Sequence, residues 1–121
     1  MADVLALVDD LFFQSKLAEI ARHVGVALQT VSTGDALVAA ATASASPNAP
    51  RLLLVDLNAR QGPIEAIERL QAAGNLLPVI AFLSHVQTEL AQRARAAGCR
   101  QVMPRSKFTA ELAGILRQIK T

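Results

Sequence analysis

The chain has 121 residues, 52% of them hydrophobic, which suits one folded domain over residues 1–121 and excludes a disordered chain. No apolar run approaches the roughly 18 residues of a membrane-spanning helix, and no basic region precedes an apolar stretch at the N-terminus, so we expect neither a membrane span nor a secretory signal. A net charge of +2, the absence of Trp and Tyr, and a single cysteine argue against direct nucleic-acid binding and an internal disulfide, and favour the reducing cytoplasm.

The first half of the chain alternates strand and helix patterns. An apolar run at residues 4–8 predicts a buried strand, and apolar residues at helical spacing predict a helix over residues 12–24. A second strand over residues 26–31 and a short Ala-rich helix over residues 35–43 follow. The Ser-, Ala- and Pro-rich stretch at residues 44–50 predicts a loop.

The second half repeats this alternation three times. The predicted elements are a strand at 52–57, a helix at 63–73, a strand at 78–83, a helix at 86–97, a strand at 100–103 and a helix at 107–120. Such alternation predicts an α/β fold, a doubly wound, five-stranded parallel sheet with helices on both faces, in a flavodoxin-like three-layer sandwich with five helices. The strand order 2-1-3-4-5 is assumed, because the pattern alone does not determine it.

Three acidic residues end two of the predicted strands. Asp9 and Asp10 follow the first apolar run, and Asp56 ends the third. The carboxyl ends of parallel strands share one edge of the sheet, so we expect these carboxylates to crowd one crevice. At about 5 Å and an effective dielectric near 20, each like-charge pair costs roughly 3 kcal/mol. The crowding therefore points to a bound cation such as Mg²⁺ and to phosphoryl chemistry.

Several short motifs occur in a characteristic order along the chain. They are Val8-Asp9-Asp10, Leu54-Val55-Asp56, Pro78-Val79-Ile80, Ala96-Ala97-Gly98 and Pro104-Arg105. With these motifs the chain resembles, over essentially its whole length, the receiver domain of two-component response regulators. The resemblance implies signalling by protein contact, with a sensor histidine kinase or phosphotransfer protein as upstream partner, and not an enzyme.

The resemblance also implies roles for individual residues. Asp56 occupies the phosphoacceptor position, and Arg105 stands in place of the family's Lys. Asp10 and Asp56 would bind Mg²⁺ directly, together with the backbone carbonyl of Asn58, while Asp9 would act through a coordinated water. Arg105 is also expected to pair with Asp56, because the family position faces the acidic residues.

The chain departs from the family pattern at four places. Leu83 stands where receivers carry Thr or Ser, and Ser84, one residue later, is the candidate substitute hydroxyl. Arg105-Ser106 replaces the Lys-Pro pair, and arginine presents a planar fork where lysine presents a point charge. The loop from Asp56 to Gly62 is short, and Val102 replaces the switch aromatic. These departures define an atypical receiver or a pseudo-receiver.

Three functions therefore stay open. The first is a single-domain response regulator receiver that accepts a phosphoryl group on Asp56. The second is a pseudo-receiver, an interaction module that acts without phosphorylation. The third is a Mg²⁺-dependent phosphohydrolase, because Asp56-Leu57-Asn58 faintly resembles the Asp-x-Asp motif of haloacid-dehalogenase-like enzymes.

Charge is distributed unevenly along the chain. Residues 1–85 carry five basic and eight acidic side chains, whereas residues 86–121 carry seven basic and two acidic ones. The resemblance implies that a downstream protein or a second copy of the chain binds the 86–120 face. That face would present five basic residues: Arg93, Arg95, Arg100, Lys107 and Arg117. His85 is a further candidate contact at the mouth of the site.

Overall fold

The computed structural model describes residues 3–43, 50–84 and 87–120. In these ranges the chain alternates strands and helices in the predicted order. The elements are β1 (Val4–Leu7), α1 (Leu11–Val24), β2 (Leu28–Val31), α2 (Gly34–Ala43), β3 (Leu52–Asp56), α3 (Pro63–Ala72), β4 (Val79–Leu83), α4 (Thr88–Ala96), β5 (Gln101–Pro104) and α5 (Arg105–Lys120).

The strands form one parallel sheet in the order β2-β1-β3-β4-β5. This arrangement confirms the predicted doubly wound α/β fold and the assumed strand order. The strand order reverses direction between β1 and β3, where the two strands pair from Val4↔Leu52 to Leu7↔Val55. The carboxyl ends of β1 and β3 therefore lie side by side, at the place where such sheets bind ligands.

A separate apolar core covers each face of the sheet. Alternating residues of β1 point to opposite faces, so Leu5 and Leu7 join one core while Val4 and Ala6 join the other. The first core is completed by α2, α3 and α4, and the second by α1 and α5. Strands covered on both faces are apolar throughout, which explains the uninterrupted runs in the sequence. No helix in the described ranges is long and apolar enough to span a bilayer.

Helix α1 begins one residue earlier than predicted because Asp10 caps it. The Oδ1 atom of Asp10 accepts hydrogen bonds from the N–H groups of Phe12 and Phe13, at 2.9 and 3.3 Å. These bonds satisfy two donors that a helix start otherwise leaves without partners. Gly25 ends the helix in the left-handed conformation, with φ of 86°.

Strand β2 begins at Leu28, two residues later than predicted, and two further differences from the predicted boundaries lie near the site. Helix α5 begins at Arg105 instead of residue 107, so Arg105 is the first residue of a helix and not part of a loop. Strand β5 runs from Gln101 to Pro104, one residue later than predicted. The predicted helix start at residue 86, His85, and most of the predicted loop at 44–50 lie outside the described residues.

The short loop after β3 packs against the start of α2 at a pair of glycines. The Gly34 N–H donates to the Gln61 carbonyl at 2.7 Å. A Cβ on Gly34 would lie 3.1 Å from that same oxygen and would collide with the backbone carbonyl of Gly62. Gly62 itself has φ of 69°, which favours glycine. The close approach holds the loop over the sheet edge, next to the acidic residues.

We expect Gly34→Ala to destabilise the protein by about 1–3 kcal/mol, because the new methyl group meets backbone and not a flexible side chain. Gly114→Ala is the matched control, since a Cβ at that helical position meets nothing within 4 Å. The control should gain about 0.5–1 kcal/mol from helix propensity. Urea unfolding of both variants measures the difference. Equal stability of the two would contradict the tight contact at Gly34.

Candidate functional site

The site lies at the carboxyl ends of β1 and β3. Asp56 is the last residue of β3 and its side chain is 2% exposed, while Asp9 and Asp10 follow β1 and are half-buried. The acidic residues thus reach the common sheet edge that the sequence predicts. Asp56 is the buried charged residue among those described, so its carboxylate needs partners.

Both carboxylate oxygens of Asp56 are engaged. The Oδ1 atom accepts a hydrogen bond from the backbone N–H of Asn58 at 2.9 Å, and Oδ2 accepts one from Nη2 of Arg105 at 2.8 Å. Burial raises the pKa of Asp56 above 3.8, and the negative charge of Asp9 adds to this effect. The Asn58 N–H and the Arg105 guanidinium oppose it.

Arg105 is held by contacts on two sides. On one side, Nη1 lies 3.7 Å from Oδ2 of Asp10, so the guanidinium faces two carboxylates. On the other side, the guanidinium carbon lies 4.5 Å from the centroid of the Phe13 ring and 5.8 Å from that of Phe82. The Nε atom is buried and has no hydrogen-bond partner among the described residues.

A cluster of three phenylalanine rings lies next to this arginine. Phe82 and Phe108 stack with their centroids 4.1 Å apart and their planes 14° from parallel. Phe13 lies at a tilt to both, at 5.4 and 6.3 Å. The sequence pattern places Phe13 and Phe108 in the core, which is where they lie, but it does not reveal that Phe13 contacts Arg105.

Asp9 and Asp10 each direct one carboxylate oxygen to backbone N–H groups of the fold. Asp10 uses Oδ1 to cap α1, as described above. The Oδ2 atom of Asp9 accepts a hydrogen bond from the backbone N–H of Arg60 at 2.8 Å, which ties β1 to the loop after β3. Asp9, Asp10 and Arg60 also line an open cleft of about 540 Å³, together with Ser32, Thr33 and Gln61.

This arrangement does not fit the Mg²⁺ site that the family resemblance implies. Among the described residues, no three of the His, Cys, Asp and Glu side chains lie close enough to hold a metal ion together. The positively charged group between Asp10 and Asp56 is the guanidinium of Arg105. The backbone N–H of Asn58 donates a hydrogen bond to Oδ1 of Asp56.

The side chain of Asn58 has a role that the sequence did not indicate. Its Oδ1 atom accepts a hydrogen bond from the backbone N–H of Ser84 at 2.6 Å, and its Nδ2 atom donates to Oε1 of Gln87 at 2.7 Å. The carboxamide therefore links the loop after β3 to the residues on either side of the β4–α4 connection. The family resemblance implies a role only for the backbone carbonyl of Asn58, and a single Asn side chain carries no periodic or motif signal of its own.

Leu83 and Val102, at the two positions that the family resemblance links to switching, are aliphatic. Leu83 is buried at the end of β4 and belongs to the core shared with α3 and α4. Ser84 is exposed, one residue beyond the strand. Val102 packs against the same core, and a cleft of about 190 Å³ between α4 and β5 is lined by both Leu83 and Val102.

The basic side chains of the 86–120 face are less uniform than their sequence suggests. Arg93 turns toward α3, where its guanidinium lies 3.0 Å from Glu68 and 3.5 Å from Glu65. Lys107 lies 4.0 Å from Glu111 on the same helix. Arg95, Arg100 and Arg117 are exposed. Cys99 is buried, and burial raises the pKa of its thiol to about 11, which favours the neutral thiol over the nucleophilic thiolate.

The chain matches known proteins in structure but not in sequence. No family model matches the chain, and no curated protein matches it. Solved structures match along nearly its whole length. One is the phosphorylated cyanobacterial phytochrome response regulator RcpA, with a TM-score of 0.79 and 16% identity, covering 98% of this chain and 91% of that one. The chain has the fold of a response regulator receiver domain.

Two further receiver-fold structures show how far this likeness extends. The receiver domain of NtrX from Brucella abortus matches with a TM-score of 0.76 and 20% identity, covering 96% of this chain and 98% of that one. The chemotaxis protein CheY4 from Vibrio cholerae matches with a TM-score of 0.79 and 19% identity, covering 98% of each chain. At such identities the likeness establishes the receiver fold alone. The function has to be inferred from the residues of the site.

Proposed function

We propose that the protein is a receiver-type module of two-component signalling, working in the cytoplasm as one domain over residues 1–121. We propose further that it acts through protein contact while Asp56 stays unphosphorylated. The receiver fold supports the first statement, and the pairing of Asp56 supports the second. This is the pseudo-receiver alternative of the sequence analysis.

The observation that carries the proposal is the engagement of Asp56 on both oxygens. An attacking carboxylate must present an oxygen to the phosphorus of a donor. Here Oδ1 is bonded to the Asn58 N–H, Oδ2 is bonded to Arg105, and the side chain is 2% exposed. Arg105 is fixed in turn by Phe13 and α5, so moving it away would cost both the ion pair and the ring contact.

A second candidate is a working phosphoacceptor, favoured by the place of Asp56 in the fold. Asp56 ends β3 beside Asp9 and Asp10, which is the family's phosphoacceptor position. In that reaction an Asp56 oxygen would bond to phosphorus while the bond from phosphorus to the donor breaks. The phosphohydrolase alternative lacks such support, because the Asn58 carboxamide is already engaged by Ser84 and Gln87.

The partners follow from the fold and its charge. We propose a downstream protein or a second copy of the chain on the 86–120 face, and, for the phosphoacceptor candidate, a sensor histidine kinase or a phosphotransfer protein upstream. An acidic partner surface would complement Arg95, Arg100 and Arg117, which are exposed. Arg93 does not belong to that basic surface, because its guanidinium pairs with glutamates of α3.

Intact-protein mass after incubation with acetyl phosphate and Mg²⁺ tests the proposal. We expect no gain of a phosphoryl group, because the acceptor oxygens are bonded within the protein. A double variant, Arg105→Lys with Ser106→Pro, restores the Lys-Pro pair and is expected to gain one group. Proline is tolerated there because Ser106 lies in the first turn of α5.

Asp56→Asn, made alone and in the double variant, is the control for the site of modification. A phosphoryl group on the wild-type chain that disappears in Asp56→Asn would overturn the proposal and establish the second candidate. Modification that persists in Asp56→Asn would be assigned to another residue. Repeating the incubation with phosphoramidate shows whether the result depends on acetyl phosphate as the phosphodonor.

A further inference from the structure

We propose that Arg105 is a built-in counter-ion that takes the place of a divalent cation at this site, so that the folded protein neither needs nor binds Mg²⁺ there. This rests on the receiver fold and deepens the proposed function, because it gives the acidic pocket a positive charge from the chain itself. The inference concerns this chain's own residues, and it is tested by binding without any phosphodonor.

The first step is the position of the positive charge. The two terminal nitrogens of Arg105 face different carboxylates, Nη2 at 2.8 Å from Asp56 and Nη1 at 3.7 Å from Asp10. One guanidinium thus bridges a residue of β3 and a residue that follows β1. A cation that neutralises crowded carboxylates has to lie between them, and this charge already does.

The second step is the state of the would-be metal ligands. Mg²⁺ requires near-octahedral oxygen ligands and binds through carboxylates that are free to face it. Asp10 directs Oδ1 to the start of α1, and Asp9 directs Oδ2 to the Arg60 N–H. A metal ion would therefore have to displace the guanidinium and compete with bonds that hold α1 and the loop after β3.

The third step is what keeps the arginine in place. Its guanidinium carbon lies 4.5 Å from the centre of the Phe13 ring, and its backbone starts α5. A planar guanidinium can lie against a ring and still direct two nitrogens to carboxylates, which a lysine ammonium cannot do. Phe13 is therefore a positioning residue, acting on the acidic site through Arg105.

The experiment is an NMR titration of the ¹⁵N-labelled full chain with MgCl₂ at constant ionic strength. We expect no saturable shift at the amides of Asp9, Asp10, Asp56 or Asn58 in the wild-type protein. Arg105→Gln removes the charge and should show a saturable shift at these amides, with binding at least about tenfold tighter than the weakest Mg²⁺ binding that the wild-type titration would detect. Arg60→Ala is the matched control, because it removes an exposed arginine near the cleft while keeping the backbone N–H that bonds Asp9.

Each outcome of the Mg²⁺ titration either supports or overturns the proposal. Saturable wild-type binding at the site, at millimolar or lower Mg²⁺, would overturn the proposal, and so would a gain of binding in Arg60→Ala equal to that in Arg105→Gln. Absence of binding in both the wild type and Arg105→Gln would overturn it too, since the carboxylates would then form no cation site. If Arg105→Gln does not fold in Mg²⁺-free buffer, recovery of its dispersed spectrum on adding MgCl₂ supports the proposal, and no recovery contradicts it.

Discussion

Replacing Arg105 with methionine is expected to lower the free energy of unfolding by about 3 kcal/mol at neutral pH. Methionine keeps an unbranched apolar stem against Phe13 but leaves the Asp56 carboxylate, 2% exposed, without its charged partner. The main cost is the uncompensated charge of the buried Asp56 carboxylate. Arg105 itself is 28% exposed, so removing its side chain from the folded protein contributes less. Urea unfolding at neutral pH measures the loss.

A double-mutant cycle with Asp56→Asn separates the ion pair from simple packing. If the loss comes from an unpaired charge, Asp56→Asn in the Arg105→Met background should recover part of it, giving a coupling of about 1–3 kcal/mol. Arg93→Met is the matched control. Its partners Glu65 and Glu68 lie at the surface, so its replacement should cost much less stability than that of Arg105. Additive losses for Arg105 and Asp56 would contradict the coupling.

The same comparison has a definite pH dependence. Burial raises the pKa of Asp56 above 3.8, and Arg105 opposes this shift, so removing Arg105 raises the pKa further. Below 3.8 the carboxyl is protonated in both proteins and needs no counter-ion. The difference in stability between wild type and Arg105→Met should therefore be small at acidic pH and grow as pH rises through the folded pKa. A difference independent of pH would show that the methionine variant loses packing and not charge pairing.

The fold could be predicted from the sequence because its signals are local and repeated. Apolar runs covered on both faces give strands such as Leu52–Asp56, and helical spacing gives α1. Element ends were less predictable than the elements themselves. Helix α5 begins at Arg105 where a loop was expected, since Pro104 lies one residue before the position at which a proline would mark that start, and Ser106 lies within the helix and not before it.

The site could be predicted only in part. The parallel sheet brings Asp9, Asp10 and Asp56 to one edge because the carboxyl ends of neighbouring strands coincide. The pairing of Arg105 with Asp56 was expected from the family resemblance, and the structure places the two in contact. The contact between Arg105 and Phe13, and the link from the Asn58 carboxamide, join residues far apart in sequence, so no spacing reveals them.

The orientation of Arg93 at the surface could not be predicted from the sequence either. The sequence places it with the other basic residues of the 86–120 face. The structure turns it toward Glu65 and Glu68, because α3 and α4 are neighbours on one side of the sheet. A charge total along the chain does not indicate which face of a helix bears each side chain.

Phe82→Ala is expected to destabilise the protein by about 3–5 kcal/mol, close to the largest loss from a single core residue. The ring is 0% exposed, and it stacks on Phe108 at 4.1 Å and tilts against Phe13 at 5.4 Å. Truncation removes the apolar contact area and leaves a cavity that two other rings cannot fill without moving. Since a domain of this size is stabilised by only about 5–15 kcal/mol, the variant should unfold at much lower urea concentration.

Phe12→Ala is the matched control, because its ring precedes Phe13 in α1 but is 91% exposed. That change should stay within about 0.5 kcal/mol. Phe82 also faces Asp56 across the β3–β4 pairing and lies 5.8 Å from the Arg105 guanidinium carbon. Its loss should therefore loosen Phe13 beneath the arginine and shift the Asp56 and Asn58 amide resonances in the folded fraction. Unchanged resonances there, beside a large loss of stability, would mean that the aromatic cluster supports the core alone and that α5 suffices to position Arg105.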